Sequence, residues 1–307
     1  MQAVRFDQYG PVDVLDVRSV PVPEPGQGQV LVRVKAAGIN PGEAKIREGA
    51  LRDRWPSAFP SGQGSDFAGV VDRAGPGVTA VGPGDDVIGW VDTRSSQAEY
   101  VVADAANLAA RPSGLPWEVA GAIPVAGFTA WAMVRAVAAG PGDTVVVSGA
   151  AGGVGSIAVQ LARRAGATVI GLAGPSNHDW LARHGVIPVA YGAGVATRIG
   201  QAAAGRGVDA FLDTFGGDYV ELALHDLKVS PDRVDTIARF DAVERYGVKA
   251  DGNAAGASAA TLAELAGLAA AKELEIPLAR TFPLREVRAA YAQLAKGHLR
   301  GKIVVIP

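Results

Sequence analysis

Cysteine is absent from all 307 residues. That removes disulfides, thiolate catalysis and any cysteine-ligated zinc at once, and it fits a reducing compartment. Histidine is scarce too. The four, His178, His184, His225 and His298, show no H-E-x-x-H spacing that would set two imidazoles on one helix face around a metal. Excess charge of either sign is missing: 29 basic residues against 31 acidic ones leave a formal charge of -2. No basic run stands out, which argues against a nucleic-acid partner. The longest charge-free apolar stretch, residues 119–134, is shorter than the ~20 residues that cross a bilayer and contains Pro124 and Thr129. The first residues, Met1, Gln2, Ala3, Val4 and Arg5, lack the apolar segment of a signal peptide. The expectation is a cytoplasmic protein without membrane partners. Residues that are 49% hydrophobic and 20% charged describe a globular chain, long enough for two domains of ~100–200 residues each.

What is present divides the chain. Up to about residue 118, short strand-like runs at 12–17, 30–36, 67–71 and 100–102 are separated by proline and glycine turns, the pattern of a β-rich, partly barrel-like unit. From there to about residue 272 helical and strand signals alternate. Strands at 144–147, 168–172, 187–191 and 210–213 are interleaved with helices at 126–139, 154–165, 178–184, 195–204 and 219–224. Such alternation predicts βαβ units on a parallel sheet, so the fold class is α/β with a β-rich first domain. Residues 254–272 read as one more helix. The remaining residues, 273–307, read as a helix at 282–294 and a strand at 302–306 returning to the first domain.

The most informative segment is residues 144–166, TVVVSGAAGGVGSIAVQLARRAG. A β-branched run breaks at a turn containing Gly149, Ala151, Gly152, Gly153, Val154 and Gly155. Ile157, Ala158, Leu161 and Ala162 then recur at helical spacing. Strand, glycine turn and helix bring backbone N–H groups up to a pyrophosphate at a helix N-terminus. The spacing is G-x-x-G-G-V-G rather than G-x-G-x-x-G, and an ordinary βα turn is the plain alternative.

At the end of the next strand, a dinucleotide site for NAD usually carries an acidic residue on the ribose hydroxyls. Here the strand runs into Gly174, Pro175, Ser176, Asn177 and His178, with no carboxylate to repel a 2′-phosphate. NADPH is the expected cofactor. Ser176 would equally suit a helix N-cap.

Six segments then occur in order: AAGINPGEAKIREG (36–49), FAGVVDRAGPGV (67–78), AGFTAW (126–131), SGAAGGVG (148–155), GVDAFLDTFGG (207–217) and GKIVV (301–305). On these the chain resembles the zinc-free quinone oxidoreductase branch of the medium-chain dehydrogenase/reductase superfamily. The resemblance implies a GroES-like catalytic domain, a doubly wound Rossmann domain, a nicotinamide cofactor in the cleft between them, and a homodimer. It places Asn40 and Ser65 where zinc-dependent relatives carry Cys and His, so no metal is expected. Without that Lewis acid, the expected acceptor is a quinone or an α,β-unsaturated carbonyl. The same resemblance sets Thr129 near the nicotinamide ribose and Tyr191 near the adenosine ribose. It also sets Thr236 and Ile237 beside the nicotinamide, and Lys45 where a tyrosine stands in animal relatives. A lysine there would stabilise an enolate as hydride arrives, or be a solvated surface residue. Asn40 would orient the acceptor carbonyl or only cap a turn. An enoyl reductase of a biosynthetic pathway and a catalytically silent NADPH-binding protein are the alternatives.

Overall fold

A computed structural model describes residues 1–307. In chain order the strands are β1 (Gln2–Phe6), β2 (Asp16–Ser19), β3 (Gln29–Ile39), β4 (Ser61–Gly62), β5 (Asp66–Ala74), β6 (Asp86–Trp90), β7 (Tyr100–Asp104) and β8 (Leu108–Ala110). After them come β9 (Thr144–Ser148), β10 (Thr168–Leu172), β11 (Ile187–Val189), β12 (Ala210–Asp213), β13 (Val234–Thr236), β14 (Leu278–Pro283) and β15 (Lys302–Ile306). Two compact units result. One comprises Met1–Val125, Ala257–Gly297 and Lys302–Pro307; the other comprises Ala126–Gly256 and His298–Gly301.

The first unit is the GroES-like β structure. Its larger sheet runs β14-β15-β3-β5-β6-β8, with β7 also paired to β3. The eleven-residue β3 is flanked by β5, β7 and β15. That central place explains why Val30, Leu31, Val32, Ala36 and Ala37 are all fully buried. A smaller sheet, β2-β1-β4, carries the N-terminus.

The second unit is a parallel sheet in the order β11-β10-β9-β12-β13. Counted along the chain this is 3-2-1-4-5, the doubly wound Rossmann arrangement. Helices on both faces bury the strands twice over, so β9 is Thr-Val-Val-Val-Ser with every residue inside. Val146, Ile170, Phe211 and Val234 form the core with Ile199 and Val220. No helix of the molecule is long and apolar enough to cross a membrane.

Several expectations need correction. Residues 12–14 form a single tight helical turn, and the strand expected at 12–17 begins at Asp16. Phe282, expected in a helix, lies in β14, and the helix begins at Val287. The alanine-rich stretch 254–272 is two helices, Asn253–Gly256 and Ala259–Ala270. The longer one packs against β8 within the first unit, so the boundaries fall at 125/126 and 256/257 rather than near 118 and 272.

Candidate active site

In the second unit, β9 ends at Ser148 and the chain turns at Gly149, whose φ of 57° is left-handed. Gly152 donates its N–H to the Gly149 carbonyl at 2.8 Å, and the helix Gly155–Arg164 begins at once. A methyl group on Gly155 would lie 2.1 Å from the Gly149 oxygen. Gly155 is therefore required for the turn to fold back on its own helix. Gly152 is tight too, with an added Cβ 3.2 Å from the same oxygen. Ala151, Gly153 and Val154 complete the turn at the carboxyl end of β9, the strand on which the sheet order reverses. That edge is where open α/β sheets take their ligands.

Three strand ends are tied together here. The buried Asp213, last residue of β12, accepts through Oδ1 from Ser148 Oγ (2.7 Å), Phe215 N (3.1 Å) and Gly216 N (2.8 Å). Its Oδ2 accepts from Thr236 Oγ1 at 2.8 Å, and its carbonyl accepts from Ile237 N at 3.1 Å. The Thr236 hydroxyl in turn accepts from the N–H groups of Ala238 (3.2 Å) and Arg239 (3.1 Å). Thr129 is buried on the helix Pro124–Ala136.

Beyond β10, Gly174 starts a single turn over Pro175–Asn177, and no side chain caps it. The N-cap expected of Ser176 is not made: Ser176 is exposed within that turn. Asn177 precedes the helix His178–Arg183 without a side-chain bond to it, and His178 Nε2 lies 3.1 Å from the Ala173 carbonyl. Tyr191 is 46% exposed, and its hydroxyl lies 3.4 Å from His298 Nδ1. A Cβ on Gly174 would stand 3.5 Å from that hydroxyl, so glycine and tyrosine share one edge. His298 was not anticipated from sequence. It is 107 residues from Tyr191 along the chain, and no local pattern joins them.

In the first unit, Lys45 is exposed on the helix Pro41–Arg47. Asn40, just before that helix, is buried and fully committed. Its Nδ2 donates to Glu43 Oε1 and to Asp66 Oδ2, both at 3.0 Å, and its Oδ1 accepts from the Lys302 ammonium. No amide hydrogen is left for an acceptor carbonyl, so of the two roles expected of Asn40 the geometry favours the structural one. Lys302 Nζ also donates to the Ile39 carbonyl (3.1 Å) and pairs with Asp66 (3.3 Å).

Glu43 is the other centre of this network. It accepts from Asn40 N (3.1 Å), Ser65 N (3.0 Å) and Tyr291 Oη (2.8 Å). Gln63 and Gln97 donate to the Tyr291 hydroxyl at 2.9 and 2.8 Å. Burial, and then the charge of Asp66, push the Glu43 carboxyl above the usual range. Burial, and then Glu43, push the Tyr291 phenol well up. Asn40 and Ser65, the residues expected in place of zinc ligands, do not fit that ion. Asn40 already holds an ammonium, Ser65 is engaged through its backbone, and no three His, Cys, Asp or Glu side chains stand together to hold a metal.

Comparison with known proteins agrees with this fold. Residues 26–141 match the family model "Alcohol dehydrogenase GroES-like domain", and residues 186–305 match "Zinc-binding dehydrogenase". The human protein named quinone oxidoreductase is 38% identical over 57% of this chain and 53% of its own length. The chain thus aligns with about half the length of the curated relatives it matches. The solved quinone oxidoreductase of Coxiella burnetii superposes with a TM-score of 0.88 at 31% identity, covering 100% of this chain and 99% of that one. The solved CurK enoyl reductase gives a TM-score of 0.88 at 25% identity, covering 99% and 98%.

Proposed function

This chain belongs to the medium-chain dehydrogenase/reductase superfamily, in its quinone oxidoreductase family, and from that premise we propose that it is an NADPH-dependent reductase of quinones and α,β-unsaturated carbonyls. The observation that carries the reading is the glycine turn of residues 149–155 on the strand where the sheet order reverses, with the ends of β9, β12 and β13 pinned beside it.

A nicotinamide cofactor, when bound, supplies the hydride. The chain's own part is to hold that cofactor and manage charge. The N–H groups opening the helix Gly155–Arg164 would hold its pyrophosphate, and the turn after Thr236 would hold its nicotinamide end. Gly174, Ser176, Asn177, His178 and Tyr191 carry no carboxylate themselves, Asp179 being the first acid after them, on the helix His178–Arg183, and Tyr191 with His298 offers a 2′-phosphate hydrogen bonds. Those features favour NADPH over NADH. Lys45 has an exposed ammonium free to meet oxygen charge developing on the acceptor. A quinone leaves as hydroquinone after gaining hydride and a proton. An enone takes hydride at its β-carbon and a solvent proton at its α-carbon.

The donor set at Asn40 and Ser65 supports the zinc-free reading. The cytoplasmic location rests on the cysteine-free composition, and the homodimer on the resemblance alone. The likeness to CurK supports enoyl reduction as a second reading.

The test is the oxidation of NADPH followed by absorbance, with 1,4-quinones, enones and enoyl thioesters in separate reactions and NADH in parallel. Turnover with a quinone or enone, and NADPH preferred, is expected. Binding of NADPH without turnover of any acceptor would reduce the protein to a cofactor-binding one. Turnover of thioesters alone would favour enoyl reduction.

A further inference from the structure

We propose that Asp213 is a positioning residue for the cofactor: it fixes the distance between the pyrophosphate-binding turn and the turn that flanks the nicotinamide. The inference deepens the reading above and rests on it.

β12 lies between β9 and β13, and each neighbour ends in one of those two turns. Asp213 is the last residue of β12, with none of its surface exposed. Toward β9 it holds the Ser148 hydroxyl at 2.7 Å. That same hydroxyl accepts from Thr214 N at 3.0 Å, while Thr214 Oγ1 donates to the Ser148 carbonyl at 2.6 Å. The residue that enters the glycine turn is thus held by its side chain and its backbone. Toward β13, the Asp213 side chain holds Thr236 Oγ1 at 2.8 Å, while its backbone carbonyl accepts from Ile237 N at 3.1 Å. One side chain therefore reaches both turns.

The chemistry requires a carboxylate. Every group aimed at the two oxygens is a donor, and only an ionised acid accepts on both oxygens without offering a hydrogen. An asparagine of the same shape would still accept from Ser148, Phe215 and Gly216. Its NH2 would face Thr236 Oγ1, which already accepts from Ala238 N and Arg239 N. The threonine would lose its acceptor, and the Thr236–Arg239 turn would shift while the glycine turn stayed in place.

A dinucleotide gripped at both ends senses that spacing, because pre-set distance is part of its binding free energy. A fragment gripped at one end does not. The experiment compares NADPH with adenosine 2′,5′-bisphosphate, which lacks the nicotinamide half, by titration calorimetry on the full chain. Asp213→Asn is expected to weaken NADPH roughly ten-fold, the worth of one lost hydrogen bond to a charged acceptor. The bisphosphate should bind it as it binds the wild type. Thr236→Val, which cuts only the far end of the link, should give the same split, and Thr236→Ser should restore NADPH binding. The double variant Asp213→Asn/Thr236→Val should be no worse than the weaker single one, because both break one link.

Equal weakening of both ligands would show a general loss of structure and overturn the proposal. So would unchanged NADPH binding in the two folded variants. If Asp213→Asn does not fold, the Thr236→Val ratio decides in the same way. Failure of the wild-type protein to bind NADPH would overturn the cofactor reading and this role with it. Normal wild-type binding with unaffected variants would overturn this role alone.

Discussion

Lys45 and Asp235 carry opposite kinds of information, one exposed without a partner and one buried without a full set. If the Lys45 ammonium meets charge that appears only in the transition state, Lys45→Ala should lower kcat more than it raises KM. The expected loss is about ten- to a hundred-fold for enones, the worth of one charge-assisted hydrogen bond, and smaller for quinones, which accept electrons readily. Steady-state kinetics with both acceptors checks it, and unchanged values would return Lys45 to the surface. Asp235, on β13, accepts from Asp251 N at 2.9 Å through Oδ2, while its Oδ1 has no partner. Burial, helped by the charges of Asp251 and Asp213, pushes its carboxyl up to about 7. The folded protein therefore holds this proton more tightly than an unfolded chain, where aspartate titrates near ~4. Its contribution to stability is complete below that value and is lost as pH rises through 7. Asp235→Asn removes the titration. Relative to wild type it should gain roughly 2–3 kcal/mol between pH 5 and pH 8, read by denaturant melts at the two values. A constant difference across that range would remove Asp235 as the source.

Among the elements, the helix Gly155–Arg164 depends on its first residue. With 2.1 Å between an added Cβ and the Gly149 carbonyl, Gly155→Ala must push the turn away from the helix. Overpacking of this kind costs roughly 1–3 kcal/mol. A melt should show that loss together with weaker NADPH binding, and an unaltered melt would mean that the turn relaxes freely. This turn was legible in the sequence because strand, glycines and amphipathic helix are adjacent, and because doubly buried strands such as β9 and β10 read as apolar runs. β14 was not legible. It is an edge strand whose exposed Arg280 and Thr281 interrupt any apolar run, and Pro283 closes it. The helix Ala259–Ala270 forms as its alanine-rich run predicts but belongs to the first unit rather than the second, since composition does not say which sheet a helix meets. The network around Glu43 escaped because Asn40, Asp66, Gln97, Tyr291 and Lys302 come from five separate segments. The one local hint was a lysine opening an otherwise apolar strand, Lys302–Ile306.

That lysine bears on the molecule as a whole. The chain leaves the first unit after Val125, builds the second, and returns twice, the last time as β15 between β14 and β3. Lys302 is the first residue of this return, and its side chain is 4% exposed. It is the one cation bonded to this network, which holds two buried carboxylates, Asp66 and Glu43. A buried pair adds little over a well-packed apolar alternative, but removing one partner strands the other, at about 3–5 kcal/mol. Lys302→Met nearly conserves volume and leaves the strand pairing of Ile303, Val304 and Val305 with β3 intact. It should therefore lower the melting temperature of the first unit by several degrees. NADPH binding below that transition should be unchanged, since Gly149–Gly155 and Thr236 belong to the second unit. Lys302→Met with Asp66→Asn should recover part of the loss by removing one stranded charge. Calorimetry on the three proteins reads the order directly. A melting temperature for Lys302→Met equal to wild type would mean that the lysine does not hold this network, and that the final strand is held by its backbone and apolar residues alone.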